Sequence, residues 1–377
     1  MTFVLTDAQL AYRDQIRALA REQLVGVADA GEPGRVNRPL VRALGDHGLL
    51  GQLFPASAGG TGDEVSALRL CLLREALATE VTEAETALAM QGLCGMPIVL
   101  AGRDEQVRRW VPSLARGEAV GAFALTEPEH GTDAAALEVR AEREGDGFRL
   151  TGIKTWISNA PDADLYVLFA RTAPEMKALG ITAFVVPGHS PGLTGKRLQI
   201  LSEHPIGRLE LEGVRVEQDQ VLGEVDRGFR VAMRTLDLFR PSVGAFAVGM
   251  AQAALDAAVE RAGRREAFGR PIREFQAVSH RLADMATRIE AARLMVYAAA
   301  EAVDRAAPDV TRRSAMAKLF ATEAAQWVVD AAVQIHGAAG LERGHVLERL
   351  YREVRAPRIY EGTTEIQREI IARELYR

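Results

Sequence analysis

The chain has 377 residues, 48% of them hydrophobic and 26% charged, a balance that describes a globular protein with room for two or three domains and excludes a disordered one. A net charge of −5 with a pI near 5.9 gives no bulk attraction for nucleic acid or an anionic membrane, so an anionic ligand has to be held by a local site. The start, from Met1 to Asp7, lacks a basic region followed by an apolar run, and no stretch of about 18 uninterrupted apolar residues occurs, so a soluble cytoplasmic protein without membrane insertion is expected. Cys71 and Cys94 are too few and too isolated for a disulfide framework or a zinc site, and the histidines show no paired spacing, so no metal centre is expected.

Thr6 with Gln9 forms a capping-box pattern, and Tyr12, Ile16, Leu19 and Leu24 recur near helical spacing, so the chain opens with an amphipathic helix. Helices are expected to dominate over 1–120, broken by the glycine- and proline-rich stretch from Phe54 to Gly62, a loop placed near the ligand. Over 121–225 the period changes: the runs from Phe148 to Ile153, Leu165 to Ala170 and Ile181 to Val186 are short, β-rich and bounded by turn residues. Over 226–377 the helical signal returns after Gly228, and Val278, Leu282, Met285, Ile289, Ala292 and Val296 form the seam of a helix packed in a bundle. The predicted fold is mainly α with a β middle domain, an order that argues against βαβ alternation. No Gly-x-Gly-x-x-Gly follows a strand, and Gly195-Lys196-Arg197 lacks the Walker spacing, so Rossmann nicotinamide binding and P-loop hydrolysis are disfavoured.

Near the C-terminus, Tyr360-Glu361-Gly362-Thr363 sets one carboxylate between an aromatic ring and a flexible glycine. An apolar wall would penalise the ionised form and tune Glu361 as a base. Taken alone, the same four residues also describe a solvated loop between two helices.

The segment Phe123-Ala-Leu-Thr-Glu-Pro-Glu-His-Gly-Thr-Asp133, the run Lys154-Thr-Trp-Ile-Ser-Asn159 and the Tyr-Glu-Gly-Thr turn together resemble the acyl-CoA dehydrogenase family of flavoproteins. The stretches from Gly95 to Gly102, Arg265 to Gly269 and Gln334 to Gly340 fall in the family's order, so the resemblance covers nearly the whole chain. It implies an α-helical N-terminal domain, a β-barrel-like middle domain and a C-terminal four-helix bundle. It implies FAD as cofactor and Glu361 as the base that removes the α-proton of an acyl-CoA thioester, with the β-hydride passing to flavin N5. Phe123, Leu125, Thr126, Trp156 and Ser158 match flavin-binding positions, the indole packing on the ring and the Ser158 hydroxyl reaching its N5 region. Gly131 and Thr132 match a turn near the cofactor phosphate and the thioester tail. Arg265 and Phe268 match residues that reach the partner subunit's FAD, Gln276, Gln334, Gly337 and Gly340 complete that pocket, and Thr363 and Glu365 follow the catalytic turn towards the cofactor. Asp237, Arg240 and Gly362 match the substrate side, although a salt bridge at a helix start explains the arginine nearly as well. His336 is expected in a turn near the cofactor, and Gln91 and Gly92 at the pocket floor. The family implies a homodimer or homotetramer reoxidised by an electron-transfer flavoprotein.

The sequence departs from the family at Ser202-Glu-His-Pro-Ile-Gly-Arg208, where a serine or threonine set near CoA is usual, and this puts the handle of the substrate in question. The same chemistry on a carrier-protein thioester, or with oxygen as acceptor, is the close alternative. A non-catalytic scaffold or nucleic-acid-binding relative is the alternative of another class, and it would need a basic stripe that the chain does not have.

Overall fold

Thr6 starts the first helix as expected: its hydroxyl accepts from the Gln9 backbone N–H at 3.3 Å, while the Gln9 side chain accepts from the Thr6 N–H at 2.9 Å. The computed structural model describes residues 5–376, so the first four residues of the stretch Met1 to Asp7 lie outside the described residues. In chain order, α1 (Asp7–Leu19) runs through a π turn at Ala20–Leu24 into α2 (Val25–Asp29), followed by α3 (Arg38–Asp46), α4 (Ala67–Glu80), α5 (Thr82–Ala101) and α6 (Asp104–Ala115). The strands come next: β1 (Gly121–Ala124), β2 (Arg140–Glu144), β3 (Gly147–Ser158), β4 (Leu165–Arg171), β5 (Ile181–Pro187), β6 (Leu193–Arg197), β7 (Ile206–Val216) and β8 (Val221–Leu222). Helix α7 (Gly228–Arg264) leads to a small hairpin of β9 (Glu266–Ala267) and β10 (Arg270–Pro271), then α8 (Gln276–Asp304), α9 (Val310–His336), α10 (Val346–Glu353) and α11 (Thr364–Glu374).

By contacts the chain divides into two units. One joins the N-terminal residues through Val25, Ser66–Glu85 and the chain from Asp237 on. Its core is a seam of α4, α7, α8, α9 and α10 dominated by alanine, with Met285, Ile289, Ala292 and Val296 of the predicted seam buried in it. Such small residues let helix axes approach closely, and Leu68, Phe246, Tyr297 and Leu350 fill the remaining volume. Charge is fastened to this core at its edges: Arg17 and Arg21 both donate to the Glu80 carboxylate, at 2.8 and 3.0 Å.

The other unit, Gly26–Val65 with Thr86–Leu236, is built on an eight-stranded sheet. Its strands run in the order β6-β7-β3-β2-β4-β5-β8, with β1 pairing parallel to β4. Strands β4 and β5 are buried at nearly every position, as their unbroken apolar runs require. Strand β3 is bulged against β7 between Lys154 and Ile157, which frees the intervening residues from regular pairing. Two helices, α5 and α7, are long and apolar enough by composition to cross a bilayer, and 67% of each apolar window is buried inside the protein, as befits core helices.

Candidate active site

In the first unit, the turn between α10 and α11 carries Glu361 at φ 52° and Gly362 at φ 91°. Glycine suits the second position because L side chains rarely adopt that φ, and a Cβ there would also displace the Gln367 side-chain nitrogen, 2.6 Å away. The turn is fastened through the Gly362 carbonyl, which accepts from Lys318 Nζ at 2.7 Å and from Gln367 Nε2 at 3.0 Å. Thr363 caps α11 by accepting from the Ile366 N–H, and Glu365 lies exposed in that helix's first turn.

The Glu361 side chain is half-buried, and its Oε2 is sealed from solvent without a hydrogen-bond partner. Burial raises its carboxyl above the ordinary carboxylate range, opposed by the charges of Arg74, Lys318 and Arg240. Arg240 makes the salt bridge with Asp237 that the sequence allowed, and its Nε is likewise buried without a partner. Arg74 is itself buried, paired with Glu85 and donating to Ser242 Oγ at 2.6 Å. A carboxylate with an unused oxygen thus lies within electrostatic reach of a cation with an unused donor, and the carboxylate is able to hold or move one proton.

The same unit holds the predicted cofactor residues from Arg265 on. Phe268 and Gly269 form the tip of the β9–β10 hairpin, both with positive φ, and Phe268 is 96% exposed. Its ring lies 6.1 Å from that of Phe275, next to Gln276, and Arg265 is exposed at the hairpin's base. Gly337, at φ 64°, ends α9 beside exposed Gln334, with Gly340 buried in the following turn. His336 Nδ1 donates to the Ala332 carbonyl at 2.9 Å and the ring packs edge-on against His345, so it is held within its own helix end.

In the second unit, Trp156 occupies the β3 bulge at φ 56° with its indole 54% exposed. Only a surrounding structure that fixes the backbone maintains such a conformation for an aromatic residue. Thr155 N–H donates to the Thr126 carbonyl at 3.0 Å, and Lys154 Nζ to the Leu125 carbonyl at 2.9 Å, which draws the segment following β1 onto β3. Lys154 is fully buried and paired with Glu127, whose carboxylate also accepts from the Glu138 and Val139 N–H groups. Phe123 is half-buried on β1, its ring tilted against that of Phe169, while Gly131 and Thr132 lie exposed on the turn that follows, Gly131 close to Thr126. Ser158 Oγ lies 2.7 Å from His204 Nε2.

Gln91, expected at the pocket floor, instead serves the backbone: its amide donates to the Ala119 carbonyl at 2.6 Å and accepts from the Gly121 N–H at 2.7 Å. Sequence reading passed over Arg74, Lys318, Glu127, Lys154 and His204 as charged or polar contributors. Lys318 left a signal, a lone lysine on the alanine stripe Ala315, Ala321 and Ala325 of α9. The others depend on pairings distant in sequence.

The chain matches the N-terminal domain of acyl-CoA dehydrogenases over residues 6–118, their middle domain over 122–214 and their C-terminal domain over 226–376. It is 38% identical over 379 residues to a probable acyl-CoA dehydrogenase of Mycobacterium tuberculosis, covering all of this chain and 97% of that one. Butyryl-CoA dehydrogenase from Megasphaera elsdenii superposes with a TM-score of 0.94 at 36% identity, each chain covered in full. PigA, solved with FAD and proline, superposes with a TM-score of 0.92 at 28% identity over all of this chain and 99% of its own. Matched in all three domains and along its whole length, the chain belongs to the acyl-CoA dehydrogenase family of FAD-dependent oxidoreductases.

Proposed function

We propose that the protein oxidises the Cα–Cβ bond of an acyl-CoA thioester, with Glu361 as the base that takes the α-proton. The observation that carries this reading is the state of that carboxyl: one oxygen buried and unpartnered, on a left-handed turn, with its proton affinity raised by burial. Such a carboxylate binds a proton more firmly than a surface one and suits abstraction from a weak carbon acid. Bound FAD supplies the acceptor for the β-hydride. Trp156 and Ser158 are fit to hold the ring, the first by its exposed face and the second by its hydroxyl. Arg240 and Asp237 serve the thioester side, and the nearly full exposure of Phe268 supports a hairpin that completes the partner subunit's pocket, hence a homodimer or homotetramer. An electron-transfer flavoprotein is the fitting acceptor, and the cytoplasm the fitting location.

The test is anaerobic bleaching of the flavin bands of the purified protein by a panel of CoA and carrier-protein thioesters. A CoA thioester should bleach the wild type, and Glu361→Gln should slow that step by about 10²–10⁴. A Glu361→Gln enzyme as fast as wild type with every substrate removes Glu361 as the base. The altered Ser202–Arg208 segment favours one second reading, a carrier-bound acyl group, which the carrier arm of the panel separates.

A further inference from the structure

The departure at residues 202–208 is not a loose loop. Strand β7 pairs with the end of β3 so that Ser158 faces Ile206 and Ile157 faces Gly207. Asn159 N–H donates to the Pro205 carbonyl at 2.9 Å, Leu198 N–H to the Ile206 carbonyl at 2.8 Å and Gly34 N–H to the Glu203 carbonyl at 3.1 Å. Gly207 permits this approach, since a Cβ there would lie 2.4 Å from the Ala160 carbonyl oxygen. The backbone on both sides of His204 is thus pinned, and its imidazole Nε2 is delivered to Ser158 Oγ at 2.7 Å.

A hydroxyl carries one proton and two lone pairs, and it rotates unless something holds it. We propose that His204 is a positioning residue for the flavin ring, acting through the Ser158 hydroxyl, an inference that rests on the reading that Ser158 lies at the ring. Burial pushes the His204 imidazole down to about 4, so at neutral pH it brings no charge and acts only as a hydrogen-bond partner. The ring nitrogen that receives a hydride accepts a hydrogen bond before the transfer and donates one after it. A hydroxyl held at a fixed place meets these two forms with unequal strength, and any unequal contact shifts the balance between them.

The experiment is a double-mutant cycle on the FAD-loaded protein, His204→Ala, Ser158→Ala and both together, read by the flavin midpoint potential and by FAD affinity after reconstitution. The expected result is a shift of the reduced-to-oxidised equilibrium of about tenfold, about 30 mV for a two-electron couple, in each single variant, with no further shift in the double. His204→Asn, which keeps a hydrogen-bonding side chain, should return part of the shift. A Ser158→Ala shift without a His204→Ala shift, or two shifts that add, overturns the role of His204 and leaves the flavin reading standing. No shift in Ser158→Ala overturns both. Loss of flavin from both His204 variants while Ser158→Ala retains it makes His204 a structural residue and overturns the proposal as well.

Discussion

Glu127→Gln should destabilise the protein in a way that depends on pH. Lys154 Nζ lies 2.8 Å from the Glu127 carboxylate, with both side chains almost wholly buried. Burial lowers the ammonium from its ordinary 10.5 to about 8, despite the pull of Glu127. A lysine depressed in this way binds its proton less well folded than unfolded, so the native protein gains stability as pH rises from about 8 towards 10.5. Below that window the charged form costs about 3 kcal/mol. Without the carboxylate, Lys154 sheds its proton near neutrality, and a neutral lysine at pH 7 costs about 5 kcal/mol against an unfolded chain that stays protonated. The charge part of the deficit is therefore about 1 kcal/mol at pH 7 and below, and near zero at pH 9. A glutamine also holds the Glu138 and Val139 N–H groups less well than a carboxylate, which adds about 1–2 kcal/mol at every pH. The total at pH 7 is about 2–3 kcal/mol, or about 3–4 °C in Tm for a chain of 377 residues. Thermal melts of wild type and variant from pH 6 to 9 measure it. A deficit that is constant across that range, or that grows towards pH 9, refutes the assignment of Lys154 as the buried charge.

Lys318→Met should move the acidic limb of the pH profile for flavin reduction to higher pH, because the Glu361 carboxyl loses one of its opposing cations; its melt at pH 7 should be no lower, since the buried ammonium, lowered to about 8, is removed and Gln367 still serves the Gly362 carbonyl. An unchanged profile would separate Lys318 from the base. Asp304 accepts from the Ala67 and Leu68 N–H groups and the Ser66 hydroxyl at the start of α4, so Asp304→Ala should cost about 2–3 kcal/mol in urea unfolding. Both cysteines are fully buried, with Cys94 pushed up to about 12, so a thiol reagent should modify neither in the native protein and both after unfolding; rapid native labelling would contradict the packing.

What the sequence displays well is what repeats locally. The capping box at Thr6, the strands of the middle domain and the seam from Met285 to Val296 each rest on a period or a pair within one element, and each forms as read. The Glu361 turn was visible for the same reason, as four adjacent residues. Its cations were not, because Arg74 and Lys318 reach it from α4 and α9, and nothing in either helix's own pattern aims a charge at a turn. His204 and Ser158 are 46 positions apart and meet only through the register of β3 on β7. Gln91 shows the opposite failing: its helix was expected to offer it to a ligand, yet a buried amide must satisfy its polar atoms, and nearby backbone groups do so first.

The π turn at Ala20–Leu24 amounts to one supernumerary residue threaded into an otherwise regular rod. It keeps Ile16, Ala20 and Leu24 together on the buried side while Arg17 and Arg21 grip the same carboxylate. Excising one residue from this stretch would let the rod close to ordinary α geometry with its flanking turns kept in place, whereas a deletion in the regular turns of α1 would swing everything beyond it by about 100° and move Leu24 away from its neighbours. The length of the first helix outside this turn is accordingly fixed by register, whatever freedom the identity of its outward-facing side chains enjoys.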